Sequence, residues 1–318
     1  MRFKSVPILL LLSTLGLACA KSTSTAEIRK QNESPGRVEQ ELTRRLELIC
    51  DRAQGTVGIS VVHIESGKTV AINGKSQLPL YSVFKLPLAI AVLQDVANNR
   101  LRLDQKIHVT PAEIVPGTPE NTALWQKPVD VTIEQLIDHS LSRSDNTSAD
   151  KLLGMVGGPI KVTERMRSLG FQNLDIHLTV SEYVKSRQNP NIGSPEDLTN
   201  LLVQLHGGKI LQPSQVNLLI GFMQKTTIGL RRLRGELPSG TPVAHKTGSG
   251  EKDAVTRMAK ATNDVGIITL PSGRGHLAVA VLVSESKLAD AAQEKMIAEV
   301  ARAAYDVYST EPAKRVAH

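Results

Sequence analysis

The feature that most constrains the fold is the placement of strand-like segments at both ends of the chain. The segment "TVGISVVHIESGKTVAI" at 56–72 is rich in β-branched residues on both sides of Gly67, which predicts a hairpin. After 238–242, three more segments favour strands, namely "VAHKTGS", "DVGIITL" and "HLAVAVLVS", and a short turn with a proline and a glycine separates the last two. One sheet contains all of these strands only if the two ends of the chain meet.

Helical patterns fill the interval between the two strand-rich regions. They lie at 82–98, 132–140, 147–156, 160–169, 195–207 and 213–224. A further helix is predicted from Ser34-Pro35 to about residue 54, and a last one at about 287–307. This order predicts an α/β (α+β, two-lobe) fold in which an all-α lobe, about 76–224, interrupts an α/β lobe formed by about 34–75 and 225–308, with a tail at 309–318 and a cleft between the lobes.

The N-terminus has the features of a secretory signal peptide. Arg2 and Lys4 precede a short apolar run, and Ala18-Cys19-Ala20 is a small-x-small cleavage site, so residues 1–20 are predicted to be removed. Residues 21–33 are polar and predicted to be a flexible lead-in. Periplasmic or secreted localisation follows, although Cys19 after "LGLA" is also typical of a lipoprotein signal. Without Cys19, Cys50 has no disulfide partner and is expected to be a small buried apolar residue.

Composition excludes several kinds of partner. The formal net charge of +7 suits anionic ligands, but the basic residues are spread along the chain and do not alternate with aromatics, which argues against nucleic acid. The eight histidines show no metal-binding spacing, and the "GKT" and "GKS" fragments lack the first glycine of a phosphate loop. We therefore expect no metal, no cofactor, no membrane span after the signal peptide, and a monomer.

Ser82 and Lys85 lie three residues apart in the apolar run "YSVFKLPLA". This spacing puts both side chains on one helix face, where a lysine can take the proton of a serine and make it a nucleophile. The spacing alone is weak, because it recurs at Ser148/Lys151, Ser249/Lys252 and Ser284/Lys287.

Two further triplets make the combination specific. "SRSDNTSAD" contains Ser144-Asp145-Asn146, and "VAHKTGSG" contains Lys246-Thr247-Gly248. The order S-x-x-K, S-D-N, K-T-G is the signature of class A β-lactamases and penicillin-binding proteins. Over about 35–308 the chain resembles a class A serine β-lactamase, in a divergent, extended-spectrum-like branch. The resemblance implies a five-stranded antiparallel sheet with flanking helices, an inserted helical lobe, and hydrolysis of β-lactam antibiotics.

The resemblance also implies roles for individual residues. Ser82 is the nucleophile, Lys85 its base, and Ser144 passes a proton to the leaving nitrogen. Asn146 holds the substrate side-chain amide, and Lys246, Thr247, Ser249 and Arg232 bind near the substrate carboxylate. The backbone N–H groups of Ser82 and Ser249 form the oxyanion hole.

The loop that should carry the deacylating base departs from the usual pattern. In "LTVSEYVKSRQNPNIGSPEDL", Glu182 is the only acidic residue between Asp175 and Glu196, and the fourth residue after it is Ser186 where asparagine is usual. We assign Glu182 as the general base that activates the hydrolytic water. Two alternatives stay open: a DD-peptidase that acts on cell-wall peptides, and a β-lactam-binding protein that is acylated once and turns over slowly.

Overall fold

The computed structural model describes residues 36–186, 191–253, 255–256 and 258–310. The predicted signal peptide, the lead-in and nearly all of the predicted tail lie outside the described residues. Within the described residues, no helix is both long enough and apolar enough to cross a membrane.

The central sheet joins the two ends of the chain, as predicted. Its strands are β1 (Thr56–His63), β2 (Lys68–Ile72), β8 (Val243–Ser249), β9 (Thr262–Thr269) and β10 (His276–Ser284). They lie in the order β2-β1-β10-β9-β8, and every neighbouring pair is antiparallel. The hairpin at Gly67 forms with a positive φ of 70°, which glycine adopts without strain.

Both faces of the sheet are covered, which explains why strand β10 is apolar throughout. Its odd-numbered residues, such as Val279 and Val281, pack with helices α1 (Arg37–Cys50) and α10 (Asp290–Thr310). Its even-numbered residues, such as Ala278 and Ala280, face the larger cluster that contains the helices of the middle segment. Because successive strand residues point to opposite faces, a strand buried on both sides loses the polar alternation of a surface strand.

The middle segment contains eight described helices. They are α2 (Lys85–Ala97), α3 (Pro119–Ala123), α4 (Ile133–Ser142), α5 (Asn146–Met155), α6 (Pro159–Ser168), α7 (Val180–Ser186), α8 (Pro195–His206) and α9 (Pro213–Gln224). Sequence patterns did not predict α3 and α7, because five and seven residues are too few to show helical periodicity. Helix α8 packs directly on the sheet, where the hydroxyls of Ser60 and Thr199 lie 2.7 Å apart.

Short strands complete the middle segment. Strands β3 (Leu78–Pro79), β7 (Ile192–Gly193) and β6 (Leu174–Asp175) form one small sheet in that order, and β4 (Lys106–Val109) pairs with β5 (Val129–Thr132). Cys50, at the end of α1, is only partly buried, and burial raises its thiol pKa to about 11. The thiolate that reacts with electrophiles is therefore scarce at neutral pH.

Candidate active site

Ser82 lies in a single 3₁₀ turn, Tyr81–Phe84, that leads into α2. Within a 3₁₀ turn, residues three apart eclipse each other, so this geometry keeps the S-x-x-K pair on one side. Tyr81, directly before Ser82, has a φ of 46°, an uncommon conformation for a tyrosine. Backbone strain of this kind is concentrated at functional sites, where the surrounding structure maintains it.

Burial separates Lys85 from the other lysines that follow a serine at this spacing. Lys85 is 0% exposed, whereas the side chain of Lys151 is 22% exposed, that of Lys252 is 30% exposed, and Lys287 is an exposed residue. Burying an ammonium group is unfavourable unless it is paired, so a fully buried lysine usually has a function.

The Lys85 ammonium group donates three hydrogen bonds, all to the S-D-N segment. Its Nζ lies 2.6 Å from the carbonyl oxygen of Ser144, 3.3 Å from Ser144 Oγ and 2.8 Å from Asn146 Oδ1. Among the described residues, none of its hydrogen bonds goes to Ser82. Catalytic hydrogen bonds are often long in ligand-free structures and tighten in the substrate complex.

Burial lowers the pKa of Lys85 from its usual value of 10.5 to about 7. Desolvation disfavours the charged form, and the negative charges of Asp145 and Asp150 oppose this only in part. A substantial fraction of Lys85 is therefore neutral at physiological pH, which is the form that accepts a proton.

Ser144 links the two buried lysines. Its Oγ accepts from Lys85 Nζ at 3.3 Å and from Lys246 Nζ at 3.0 Å. A hydroxyl has two lone pairs and one proton, so two accepted bonds leave its proton free to be donated to a third group. Ser144 also has a positive φ of 55°, so the turn before α5 holds it in a strained conformation.

Asn146 is anchored at both ends of its amide. Its Oδ1 accepts from Lys85, and its Nδ2 donates to the carbonyl oxygen of Pro116 at 2.6 Å. In this structure the side chain orients Lys85, and contact with a substrate amide requires that the bond to Pro116 be given up or shared.

Strand β8 places Lys246, Thr247 and Ser249 beside the turn that carries Ser82. Lys246 is 1% exposed, and burial lowers its pKa well below the usual value, with the charge of Lys85 acting in the same direction. The strand approaches closely at Gly248, where an added Cβ would lie 2.3 Å from the carbonyl oxygen of Leu80. Glycine at this position therefore allows β8 to line the site.

Arg232 binds the end of β8. Its guanidinium group donates to Ser249 Oγ at 2.7 Å, to the carbonyl oxygen of Gly248 at 3.2 Å and to that of Asn263 at 2.8 Å. Its Nε lies 3.5 Å from Glu294 Oε1. Arg232 is 7% exposed, so in the described structure it positions the Ser249 hydroxyl and adds positive charge behind it.

We predict that Arg232→Ala lowers kcat/KM for a β-lactam at least about tenfold, chiefly through a higher KM, because the Ser249 hydroxyl and the strand end lose a charged donor. Steady-state kinetics measures the effect. The matched control is Arg231→Ala, which removes a neighbouring arginine that also pairs with Glu294 but has a 78% exposed side chain. Equal losses in both variants would contradict a positioning role for Arg232.

The structure places the segment that carries Glu182 beside the turn that contains Ser82, but the Glu182 carboxylate binds Thr179. Glu182 is exposed, and its Oε2 accepts from the backbone N–H of Thr179 at 2.8 Å and from the Thr179 hydroxyl at 2.9 Å, as in a helix capping box. No hydrogen bond among the described residues joins it to Ser82 or Lys85. The neighbours of the two residues do meet: the rings of Tyr81 and Tyr183 pack edge to face with centroids 5.7 Å apart.

Asp150 fixes the position of this segment and was not predicted from sequence. Its two carboxylate oxygens accept the backbone N–H groups of Val180 and Ser181, at 2.7 and 2.8 Å. Burial raises its pKa, while these bonds and the charge of Lys85 act against the rise. Asp150, whose charge acts on Lys85, thus ties the first turn of α7 to helix α5.

Two other buried carboxylates, Asp145 and Asp264, act electrostatically on Lys85 and Lys246, and neither was assigned a role in the site from the sequence. Asp145 caps α5 by accepting the backbone N–H of Ser148 at 2.7 Å and accepts the indole N–H of Trp125 at 3.2 Å. Asp264 pairs with His245 at 2.8 Å, fully buried, on the strands beside Lys246. For Asp145, the sequence signal was its place in the S-D-N triplet. Asp264 had no such signal, because its partner His245 is 19 residues away in the chain. Trp125 itself is a 1% exposed core residue.

Comparison with known proteins agrees with this geometry. A family model described as "Beta-lactamase enzyme family" matches residues 39–308. The chain is 36% identical over 269 residues to the extended-spectrum β-lactamase PER-1 of Pseudomonas aeruginosa, covering 83% of this chain and 86% of that protein. It is 32% identical over 280 residues to β-lactamase VEB-1 of the same organism, covering 84% and 90%.

Solved structures show the same relationship. A β-lactamase from Chitinophaga pinensis superposes with a TM-score of 0.80 at 36% identity, covering 83% of this chain and 98% of that one. The TLA-1 extended-spectrum β-lactamase superposes with a TM-score of 0.82 at 34% identity, covering 86% of this chain and 100% of that one. The chain therefore belongs to the β-lactamase enzyme family, as a class A β-lactamase that hydrolyses β-lactams.

Proposed function

We propose that Ser82 opens the β-lactam ring through a covalent acyl-enzyme. Neutral Lys85 takes the Ser82 hydroxyl proton as Oγ bonds to the carbonyl carbon. The ring C–N bond then breaks, and Ser144 donates its proton to the departing nitrogen while its oxygen takes up the proton that Lys85 received from Ser82. The observation that carries this proposal is the hydroxyl of Ser144 accepting from both buried lysines, because the Ser144 proton is then the one left to give.

The same site is suited to an anionic substrate. Arg232 supplies positive charge, Lys246 supplies a buried amine whose protonated form a substrate carboxylate would favour, and the hydroxyls of Thr247 and Ser249 are donors at the end of β8. We assign them to the substrate carboxylate, and the backbone N–H groups of Ser82 and Ser249 to the developing oxyanion. Desolvation strengthens these interactions, since all of these groups except Ser249 and Ser82 are buried.

We assign the deacylation step to Glu182. Its carboxylate would remove a proton from a water molecule as the water oxygen attacks the acyl carbonyl carbon. The ester bond to Ser82 Oγ then breaks, and Oγ takes up the proton that Glu182 held, which restores both residues. The packing of Tyr183 against Tyr81 and the anchoring of α7 by Asp150 support this assignment. Substrate binding must then draw the carboxylate away from Thr179.

Cephalosporins are the proposed substrate class. Ser186 stands where asparagine is usual, and several relatives are named as extended-spectrum enzymes. Resistance to β-lactam antibiotics would follow, with the protein acting as a monomer after export to the periplasm or the medium. Nothing in the site calls for nucleic acid.

Turnover of a chromogenic cephalosporin from pH 5.5 to 9 tests this function. We expect many turnovers per enzyme, with kcat/KM falling about tenfold per unit below pH 7, because Lys85, whose pKa is about 7, becomes protonated there. Lys85→Arg should lose activity at every pH, since arginine stays charged. A flat profile down to pH 5.5 would contradict the role of Lys85 as base.

A further inference from the structure

A second cluster of chemically active side chains lies outside the active site. Glu65 lies in the turn between β1 and β2, His206 is the last residue of α8, and His276 is the first residue of β10. One potential ligand atom from each of the three residues lies within 4.8 Å of those of the other two. The imidazole rings of His206 and His276 have centroids 4.3 Å apart.

The cluster lies at the opposite end of the sheet from the active site. His276 pairs with Thr269, the last residue of β9, whereas Ser249 pairs with Thr262, the first residue of that strand. The eight residues of β9 separate the two positions. At about 3.3 Å per residue this corresponds to roughly 23 Å, so the cluster is not part of the catalytic machinery.

Backbone geometry holds Glu65 in place. Its Oε2 accepts from the backbone N–H of His276 at 2.8 Å, and its Oε1 lies 2.7 Å from His276 Nδ1. The preceding Gly275 has a φ of 98°, and an added Cβ there would lie 2.0 Å from Glu65 Oε2. Only glycine therefore allows the carboxylate to lie directly against this strand entry.

The ring nitrogens of the two histidines are available to a ligand. A carboxylate accepts only, so His276 Nδ1 carries the hydrogen of its bond to Glu65 in the free protein, and a metal ion that displaces this proton would be held by Nδ1 and the Glu65 carboxylate together. Within the described part of the chain, neither ring nitrogen of His206 has a hydrogen-bond partner. The neighbouring His63 differs, since both of its nitrogens are used, by Ser66 Oγ and by the carbonyl oxygen of Arg274.

We propose that Glu65, His206 and His276 form a zinc site that ties the end of α8 to the sheet. Two imidazoles and one carboxylate are a donor set that suits Zn²⁺, with water in the fourth position. Tetrahedral zinc separates its ligand atoms by about 3.3 Å, so binding requires small side-chain shifts, in which Glu65 Oε1 and His276 Nδ1 move apart from 2.7 Å. We looked for closely spaced histidines in the sequence and therefore expected no metal. The three residues of this cluster are widely separated in the chain, so no local motif indicates them.

The test is zinc titration of the full-length purified protein after chelator treatment and dialysis. We expect saturable 1:1 binding by calorimetry, and a rise in Tm of about 5 °C at zinc concentrations a hundredfold above Kd, because zinc binds only the folded arrangement. Magnesium at the same concentration should not raise Tm, since it prefers oxygen ligands. The double variant His206→Gln/His276→Gln should lose both the binding and the shift.

His108→Gln is the matched control, because His108 is also paired with a carboxylate, Asp130 at 2.7 Å, but has no second histidine in such a cluster. It should keep the zinc response. Cephalosporin turnover without zinc checks that each variant is folded. If the double variant does not fold, Glu65→Gln replaces it, with an expected loss of at least tenfold in zinc affinity. Absence of zinc binding in the wild type, or an unchanged response in the folded double variant or in Glu65→Gln, would overturn the proposal.

Discussion

Ser82→Ala is expected to lose cephalosporin turnover by at least about 10⁴-fold while the fold is retained. The side chain is half-buried and supplies the only oxygen that the proposed mechanism makes covalent, so its removal deletes the acyl-enzyme rather than slowing it. The lost hydroxyl has no hydrogen-bond partner among the described residues, so stability should change little. Turnover rates and thermal unfolding measure the two effects separately.

Ser214→Ala provides the control for this variant. Ser214 is an exposed serine in the first turn of α9, and its loss should leave turnover unchanged. Binding of substrate to Ser82→Ala should persist, because Lys246, Arg232 and Ser249 remain in place. If Ser82→Ala kept turnover within tenfold of the wild type, another group would have to be the nucleophile.

Glu182→Gln is expected to convert steady turnover into a burst of one equivalent followed by a stall. Glutamine keeps the size and acceptor oxygen that the Thr179 cap uses, but it cannot take a proton from water. General-base catalysis contributes about 10²–10⁴-fold, so the steady rate should fall by about 10³-fold while the burst rate is preserved. Stopped-flow absorbance with a chromogenic cephalosporin records both phases.

Glu164→Gln is the matched control, because Glu164 is a surface glutamate on α6 paired with Lys161 at 2.6 Å. It should turn over like the wild type. Unchanged steady turnover in Glu182→Gln would mean that the exposed carboxylate seen here stays at the Thr179 cap during catalysis. Asp150 would then be the next carboxylate to test.

The fold was largely predictable because its main signals are local. Strand β8 at 243–249 and helix α9 at 213–224 have the predicted bounds, since a buried strand and an amphipathic helix each carry their own periodicity. The helix predicted at 82–98 begins only at Lys85, because the residues before it form a 3₁₀ turn, Tyr81–Phe84, whose first residue has a positive φ. Such strain arises from tertiary contacts and leaves no periodic signal.

The site was predictable where three short motifs carry it, and less so where distant residues complete it. Lys85, Ser144, Asn146 and Lys246 meet as the motifs indicate. The binding of Ser249 by Arg232, and of the α7 backbone by Asp150, depends on how the middle helices pack against the sheet. No spacing along the chain encodes those contacts, which is also why the position of the Glu182 carboxylate did not follow from its sequence pattern.

The most direct test of the account is the intact mass of the protein within seconds of mixing with a cephalosporin, followed by peptide mapping. We predict that Glu182→Gln accumulates one covalent acyl group, mapped to the peptide that contains Ser82, while the wild type shows little adduct and clears its substrate. Stable acylation of the wild type would instead identify a slow-turnover penicillin-binding protein. An adduct on any residue other than Ser82, or none in the variant, would contradict the central claim that Ser82 forms the acyl-enzyme that Glu182 hydrolyses.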